Sequence, residues 1–154
     1  MWAKKFKIPM NDGMPANFPV NTLPIMRQLA ALRELDGDGR DQHRLTATLD
    51  VLYHEFWVNH RATHEPDTLR EILIQIIGED ERSRVAEAAQ KEGKLALLRN
   101  TDEAFAKGGF GLPWMVCTNE KGQTEGFFGV DHLGLVTRFL GLERPNTSGW
   151  KSML

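Results

Sequence analysis

The chain has 154 residues, enough for one domain that buries roughly 70% of the surface its unfolded form would expose. A hydrophobic share of 41% and a charged share of 26% are ordinary for a globular protein, and a net charge of −2 leaves no electrostatic footprint for nucleic acid. No run approaches the roughly eighteen apolar residues of a membrane helix, and the N-terminus lacks the apolar stretch and small-residue cleavage site of a secretory signal. The single cysteine, Cys117, has no internal disulfide partner and fits a reducing compartment, so a cytoplasmic location is expected.

Residues 1–21 read as loop, with Pro9, Pro15 and Pro19 around Asn11-Asp12-Gly13. Asn21 or Thr22 can cap a helix running to about Leu35, with Pro24 in its first turn and Arg33 near its end. Asp36-Gly37-Asp38-Gly39 then stops it. From about Asp41 to His60 a second helix puts Leu45, Leu49, Leu52 and Phe56 on one face, at spacings of four, three and four. A third comes after Pro66-Asp67-Thr68, carries Leu69, Ile72, Leu73, Ile76 and Ile77 inward, and closes at Gly78. Glu79 to Glu92 reads as a charged amphipathic helix with Val85, Ala88 and Ala89 inward. Leu95 to Lys107 reads as another, with a register change at Asn100-Thr101-Asp102. Strands near 114–119 and 124–128 flank Glu120-Lys121-Gly122, and a last helix spans 131–141, ended by Gly141.

Two loops around that hairpin carry the chemistry. Gly108, Gly109 and Gly111 free the backbone for close approach or positive φ, and Pro113 follows the apolar Leu112 just before a strand. A cis bond is expected at Pro113, leaving the N–H and C=O of Leu112 outward to pair with an extended peptide. Asp131, after Phe128-Gly129-Val130, falls at a helix start, the place for a cap and for polar ligand groups. Read without a ligand, the same pattern is simply a capped βαβ-type end.

These residues resemble the C-terminal part of kappa-class glutathione transferases and 2-hydroxychromene-2-carboxylate isomerases, of the DsbA-like thioredoxin group. The match lies in Gly109-Phe110-Gly111-Leu112-Pro113 and Phe128-Gly129-Val130-Asp131. It extends upstream to Phe18-Pro19-Val20-Asn21-Thr22-Leu23 and Met26-Arg27. The resemblance implies an α+β, mostly helical, thioredoxin-like fold in a single partial domain. Residues 22–107 would be its helical insertion and 108–145 its C-terminal ββα half. It also implies glutathione as co-substrate and an electrophilic aromatic or unsaturated carbonyl compound as substrate. In the family the acid matching Asp131 takes the γ-glutamyl ammonium, helix-start amides take its carboxylate, and the residue matching Leu112 holds the cysteinyl unit. Val130 stands where relatives often have a small hydroxyl residue, so it offers only its backbone N–H. Leu112, Pro113, Val130 and Asp131 are therefore the expected glutathione-binding residues.

Family members begin with a further strand–helix–strand section that carries a catalytic serine at a helix N-terminus, where the dipole favours the thiolate. Met1-Trp2-Ala3-Lys4-Lys5-Phe6 already resembles the stretch after that section, and these residues contain no Ser-Pro-Tyr or Cys-x-x-Cys motif. The expectation is a truncated glutathione-dependent transferase or isomerase with no catalytic residue assigned. The rival reading is a non-catalytic interaction module whose open strand edge meets a partner. A DsbA-like oxidoreductase is disfavoured by the missing cysteine pair. Whether the chain is an enzyme, and whether it forms a homodimer, stay open.

His54, His60 and His64 with Glu65 invite a metal reading. They lack a His-Glu-x-x-His motif or a cysteine partner, and read instead as surface or half-buried histidines. Tyr53, Phe56 and Trp57 are core or, against Trp114, an aromatic pocket. His132 reads as an exposed first-turn residue, and Cys117 as a buried, inert thiol. Asn146-Thr147-Ser148 matches a glycosylation sequon. Ser152-Met153-Leu154 is one substitution from a peroxisomal address, and some kappa-class proteins are peroxisomal or mitochondrial.

Overall fold

A computed structural model describes Lys4, residues 7–37 and residues 42–142. The Asn146-Thr147-Ser148 and Ser152-Met153-Leu154 motifs, the N-terminal Met1-Trp2-Ala3 stretch, and the predicted boundaries at Asp38-Gly39, Asp41 and Pro145 lie outside the described residues. Among those described, the order is α1 (Leu23–Asp36), α2 (His43–Trp57), α3 (Pro66–Ile77), α4 (Glu79–Ala88), α5 (Glu92–Ala106), β1 (Trp114–Thr118) and β2 (Thr124–Phe128). A 3-10 turn (Val130–His132) and α6 (Leu133–Phe139) complete it. This is the helix-rich α+β order that the sequence predicts. No described helix is long and apolar enough to cross a membrane. The chain divides into two compact units at Leu98/Arg99, within α5.

In the first unit, local signals set the helix ends. Asn21 Oδ1 accepts the Leu23 N–H at 3.1 Å, so Asn21 supplies the polar start of α1 while the Thr22 side chain makes no cap bond. Pro24 sits in the first turn, where its missing N–H costs nothing. Gly78, at φ 79°, ends α3 by donating its N–H to Ile74 O at 2.9 Å. That region of backbone space is open to glycine and strained for other residues. The charged helix expected to reach Glu92 stops at Ala88, a turn intervenes, and α5 begins at Glu92. The register change expected at residues 100–102 is absent: α5 is unbroken there.

Packing follows the apolar stripes. α1 lies against α2 and α4, and α3 against α2 and α4. Ile25, Leu52, Leu69, Ile72 and Leu73 form one buried cluster; Ala31, Leu32, Val85 and Ala89 form the other. The start of α5 comes so close to α1 that a Cβ on Gly93 would strike the Arg27 carbonyl and stand 2.9 Å from Ala31 Cβ. Such a contact leaves no room for a side chain, and overpacking of this kind typically costs about 1–3 kcal/mol.

Charged groups tie the helices at their rims. Arg44 of α2 bonds both Asp36, whose side chain is buried, and Glu81 of α4 at 3.1 Å. Arg61 bridges Glu55 at 3.0 Å and Glu71 at 2.8 Å, joining α2, the loop after it and α3. The hydrogen bond to Glu55 raises the Arg61 pKa, so this cation keeps its charge. For Glu81, the hydrogen bond from Arg44 lowers the carboxyl below its ordinary 4.5; burial opposes this, and Arg84 adds to the lowering. A carboxylate with a depressed folded-state pKa contributes stability that is present above its unfolded pKa and is lost as pH falls through the folded one. Thermal midpoints taken from about pH 6 to about pH 3 should therefore show Glu81→Gln below wild type at the upper end, with the gap closing in acid. A constant gap would remove Glu81 ionisation as its source.

In the second unit, β1 and β2 pair antiparallel with Met115 opposite Phe127 and Val116 opposite Gly126. Asn119 holds the turn: its Oδ1 accepts the N–H groups of Lys121 and Gln123, each at 3.0 Å. Side chains alternate across a strand. Met115, Cys117 and Phe127 share one face, where the Phe127 ring meets Phe139 of α6 with centroids 5.6 Å apart. Cys117 is half-buried there, not buried as the sequence suggests, because its cross-strand neighbour is the exposed Glu125.

Candidate functional site

The second unit brings the two expected binding loops together. The Gly129 N–H donates to Pro113 O at 2.9 Å, extending the hairpin ladder one step beyond Trp114 and Phe128. The Leu112–Pro113 peptide is cis, as the sequence predicts; Phe18–Pro19 is cis as well, with no distinguishing signal in the sequence. Aromatic rings brace the first loop from one side. Phe110 lies 4.9 Å from Phe128 and 5.5 Å from Trp114, centroid to centroid. A Cβ on Gly111 would strike the Phe128 ring at 2.5 Å, so only glycine lets the loop lie this close to β2.

Leu112 is 77% exposed and Val130 61% exposed, and the Asp131 carboxylate is 67% exposed. Among the described residues neither main-chain group of Leu112 has a hydrogen-bond partner. The N–H groups of Val130 and Asp131 open the 3-10 turn and have no main-chain acceptor either, as the first donors of a helical turn do not. Asp131 does not cap the turn: Gly129 is the N-cap residue, no side-chain cap bond forms, and Asp131 sits one step inside. Its Oδ1 lies 3.4 Å from His132 Nδ1, an ion pair only when that half-buried imidazole is protonated. The nitrogen makes no aligned hydrogen bond. The result is a carboxylate, two amides without a main-chain acceptor and an exposed loop residue whose main chain is unpaired. Such a set can take an ammonium, a carboxylate and a peptide main chain.

The other candidates are described within their own units. Tyr53 and Trp57, with Ile8, Pro9, Met10, Asp50, His54 and Val58, line an open groove of about 450 Å³ in the first unit. Phe56 is half-buried, its ring 5.0 Å from Trp57 at an edge-on 81°. Trp114 belongs to the second unit, on β1. His54 is exposed in the last turn of α2, His60 adopts φ 52° in the next loop, and His64 Nε2 lies 3.3 Å from Glu65 Oε1. Among the described residues no three His, Cys, Asp or Glu side chains are grouped to hold a metal ion. Sequence reasoning misses the Gly129–Pro113 bond and the Phe110–Phe128 contact. Their only signal is the pair of glycines flanking the aromatic residues.

Residues 1–141 match the DSBA-like thioredoxin domain, and this range contains both loops. The chain belongs to that family. It is also similar to the Caenorhabditis elegans protein named "Glutathione s-transferase kappa 2", at 29% identity over 141 residues. The match covers 90% of this chain and 60% of the relative, so the chain spans less than two thirds of that protein's length. In this DsbA-like thioredoxin domain the helices of the first unit precede the hairpin and α6 of the second. That order agrees with a helical segment leading into the ββα end of a thioredoxin fold.

Proposed function

We propose that the Leu112–Pro113 and Val130–Asp131 loops form the glutathione-binding part of a kappa-class-like transferase or of a 2-hydroxychromene-2-carboxylate isomerase-like enzyme. The observation that carries this reading is the Gly129–Pro113 bond, which joins the unpaired Leu112 main chain to the turn bearing Asp131. Similarity to a relative named as a kappa glutathione transferase supports it. Asp131 takes the γ-glutamyl ammonium, the Val130 and Asp131 amides take the adjacent carboxylate, and Leu112 pairs with the cysteinyl unit. Pro113 holds the end of the loop. Residues 22–107 act as the helical insertion and 108–145 as the C-terminal half of the fold. The substrate is a small electrophilic aromatic or unsaturated carbonyl compound attacked by the glutathione sulfur. Nothing in these residues is assigned to activating that sulfur.

Asp131→Ala is expected to weaken glutathione binding by about 1.5–3 kcal/mol, the range for a hydrogen bond to a charged group. That is roughly tenfold to a hundredfold in dissociation constant. Calorimetric titration of both proteins decides it: measurable and equal affinities would take Asp131 out of the site.

A further inference from the structure

We infer that His132 is a positioning residue for the ligand head group: its imidazole, once protonated, draws the Asp131 carboxylate into an ion pair and loosens the hold on an ammonium ligand. This rests on the reading of Asp131 as acceptor of the γ-glutamyl ammonium, and adds the proton that decides when that carboxylate is free. The arrangement is local to Gly129 and the turn after it. Gly129, at φ 84°, leads the chain out of β2 into the 3-10 turn Val130–His132. A Cβ on Gly129 would strike Asp131 Oδ1 and stand 3.9 Å from His132 Nδ1. The missing side chain is therefore the space in which carboxylate and imidazole approach, and they meet at 3.4 Å, Nδ1 to Oδ1.

Burial makes the contact exclusive. The imidazole is 41% exposed as a side chain, yet its Nδ1 is shut off from solvent and has no hydrogen-bond partner. Among the described residues Asp131 is the one charged group paired with it. Other charges on the surrounding elements are few: β1 has none, β2 has Glu125, α6 has Arg138, and the loop before β1 follows Lys107, which pairs with Glu103. None of these forms an ion pair with Asp131 or His132. Histidine changes charge between about pH 5 and 8. With a neutral imidazole the pair is anionic and Oδ1 is open to an ammonium. With an imidazolium the pair is neutral, and its Nδ1–H competes with the ligand for that oxygen. Both side chains are partly in water, so the effect is a few-fold rather than orders of magnitude.

The test titrates the 154-residue chain with glutathione in a calorimeter, from about pH 7 to about pH 5.5, where the ligand keeps both its ammonium and its thiol proton. The wild-type dissociation constant should rise at least about threefold on acidification. His132→Asn, which places a small amide near the Nδ1 position and cannot change charge, should lose that dependence; circular dichroism reports whether it keeps its fold. Independently of ligand, the carboxyl-carbon resonance of Asp131 should move across the same window in wild type and move less in His132→Asn. A flat wild-type profile, a tighter complex in acid, an equal rise in both proteins, or an Asp131 resonance indifferent to residue 132 would each overturn the proposal. Absence of glutathione binding at either end of the window would instead overturn the ligand reading, and this inference with it.

Discussion

Replacing Ile72 by alanine is expected to cost the first unit about 2–5 kcal/mol of unfolding free energy. Ile72 is 0% exposed and stands with Ile25, Leu52, Leu69 and Leu73 where α1, α2 and α3 meet. The lost transfer energy of three carbons adds to the cavity they leave, because helices locked by Arg44 and Arg61 at their rims cannot fully collapse into it. Domains of this size have only about 5–15 kcal/mol of stability, so the change is a large share of the total. Urea denaturation followed by helical circular dichroism should show a lower midpoint with an unchanged slope. Leu95→Ala, at a residue 56% exposed on α5, serves as the comparison and should stay within about 0.5 kcal/mol of wild type. Equal midpoints for the two variants would mean that the Ile72 site repacks without a cavity.

Assayed with glutathione and an electrophilic aromatic substrate, the 154-residue chain is expected to turn over at least about a hundredfold more slowly than a chimera carrying the first strand–helix–strand section of a kappa-class enzyme. In the proposed site, contacts from Asp131, Val130 and Leu112 would act on the glutamyl and main-chain parts of glutathione, equally before and during reaction. Such uniform binding lowers the Michaelis constant without raising turnover. Thiolate formation needs donors and a positive helix end at the sulfur, and these residues contain neither a Ser-Pro-Tyr nor a Cys-x-x-Cys motif to provide it. If the two proteins match in turnover, the groups that activate the sulfur lie within these 154 residues. The proposed division of labour would then be wrong, even if Asp131→Ala still weakened binding.

Much of the fold is legible in the sequence because its signals are local. Pro24 at a helix start, Gly78 after the last apolar residue of α3, and the turn between two short β-rich runs each act over a few positions. So does the Leu-Leu-Leu-Phe stripe of α2, whose period alone selects a helix. Expectation and structure part where two local signals compete. The charged stretch from Glu79 has no glycine or proline to mark its end, and the turn before Glu92 leaves no punctuation in the sequence. At Asn100-Thr101-Asp102 three weak helix formers suggest a break, but α5 continues through them. Intrinsic propensity differs among ordinary residues by only a few tenths of a kcal/mol each, which neighbouring turns override.

The sequence by itself determined where helices and strands form, that the first unit is helical and the second carries a hairpin, and that Leu112, Pro113, Val130 and Asp131 sit in two loops around that hairpin. Only the tertiary structure decided which groups meet. It joins the two loops through Gly129 and Pro113, gathers Asp36 and Glu81 on Arg44, and leaves no space beside Gly93. It also exposes Tyr53 while half-burying its neighbours Phe56 and Trp57. Periodicity tells which side of a helix or strand is apolar. The partner that covers it depends on residues tens of positions away, whose approach is set by packing and hydrogen-bond register rather than by any local preference.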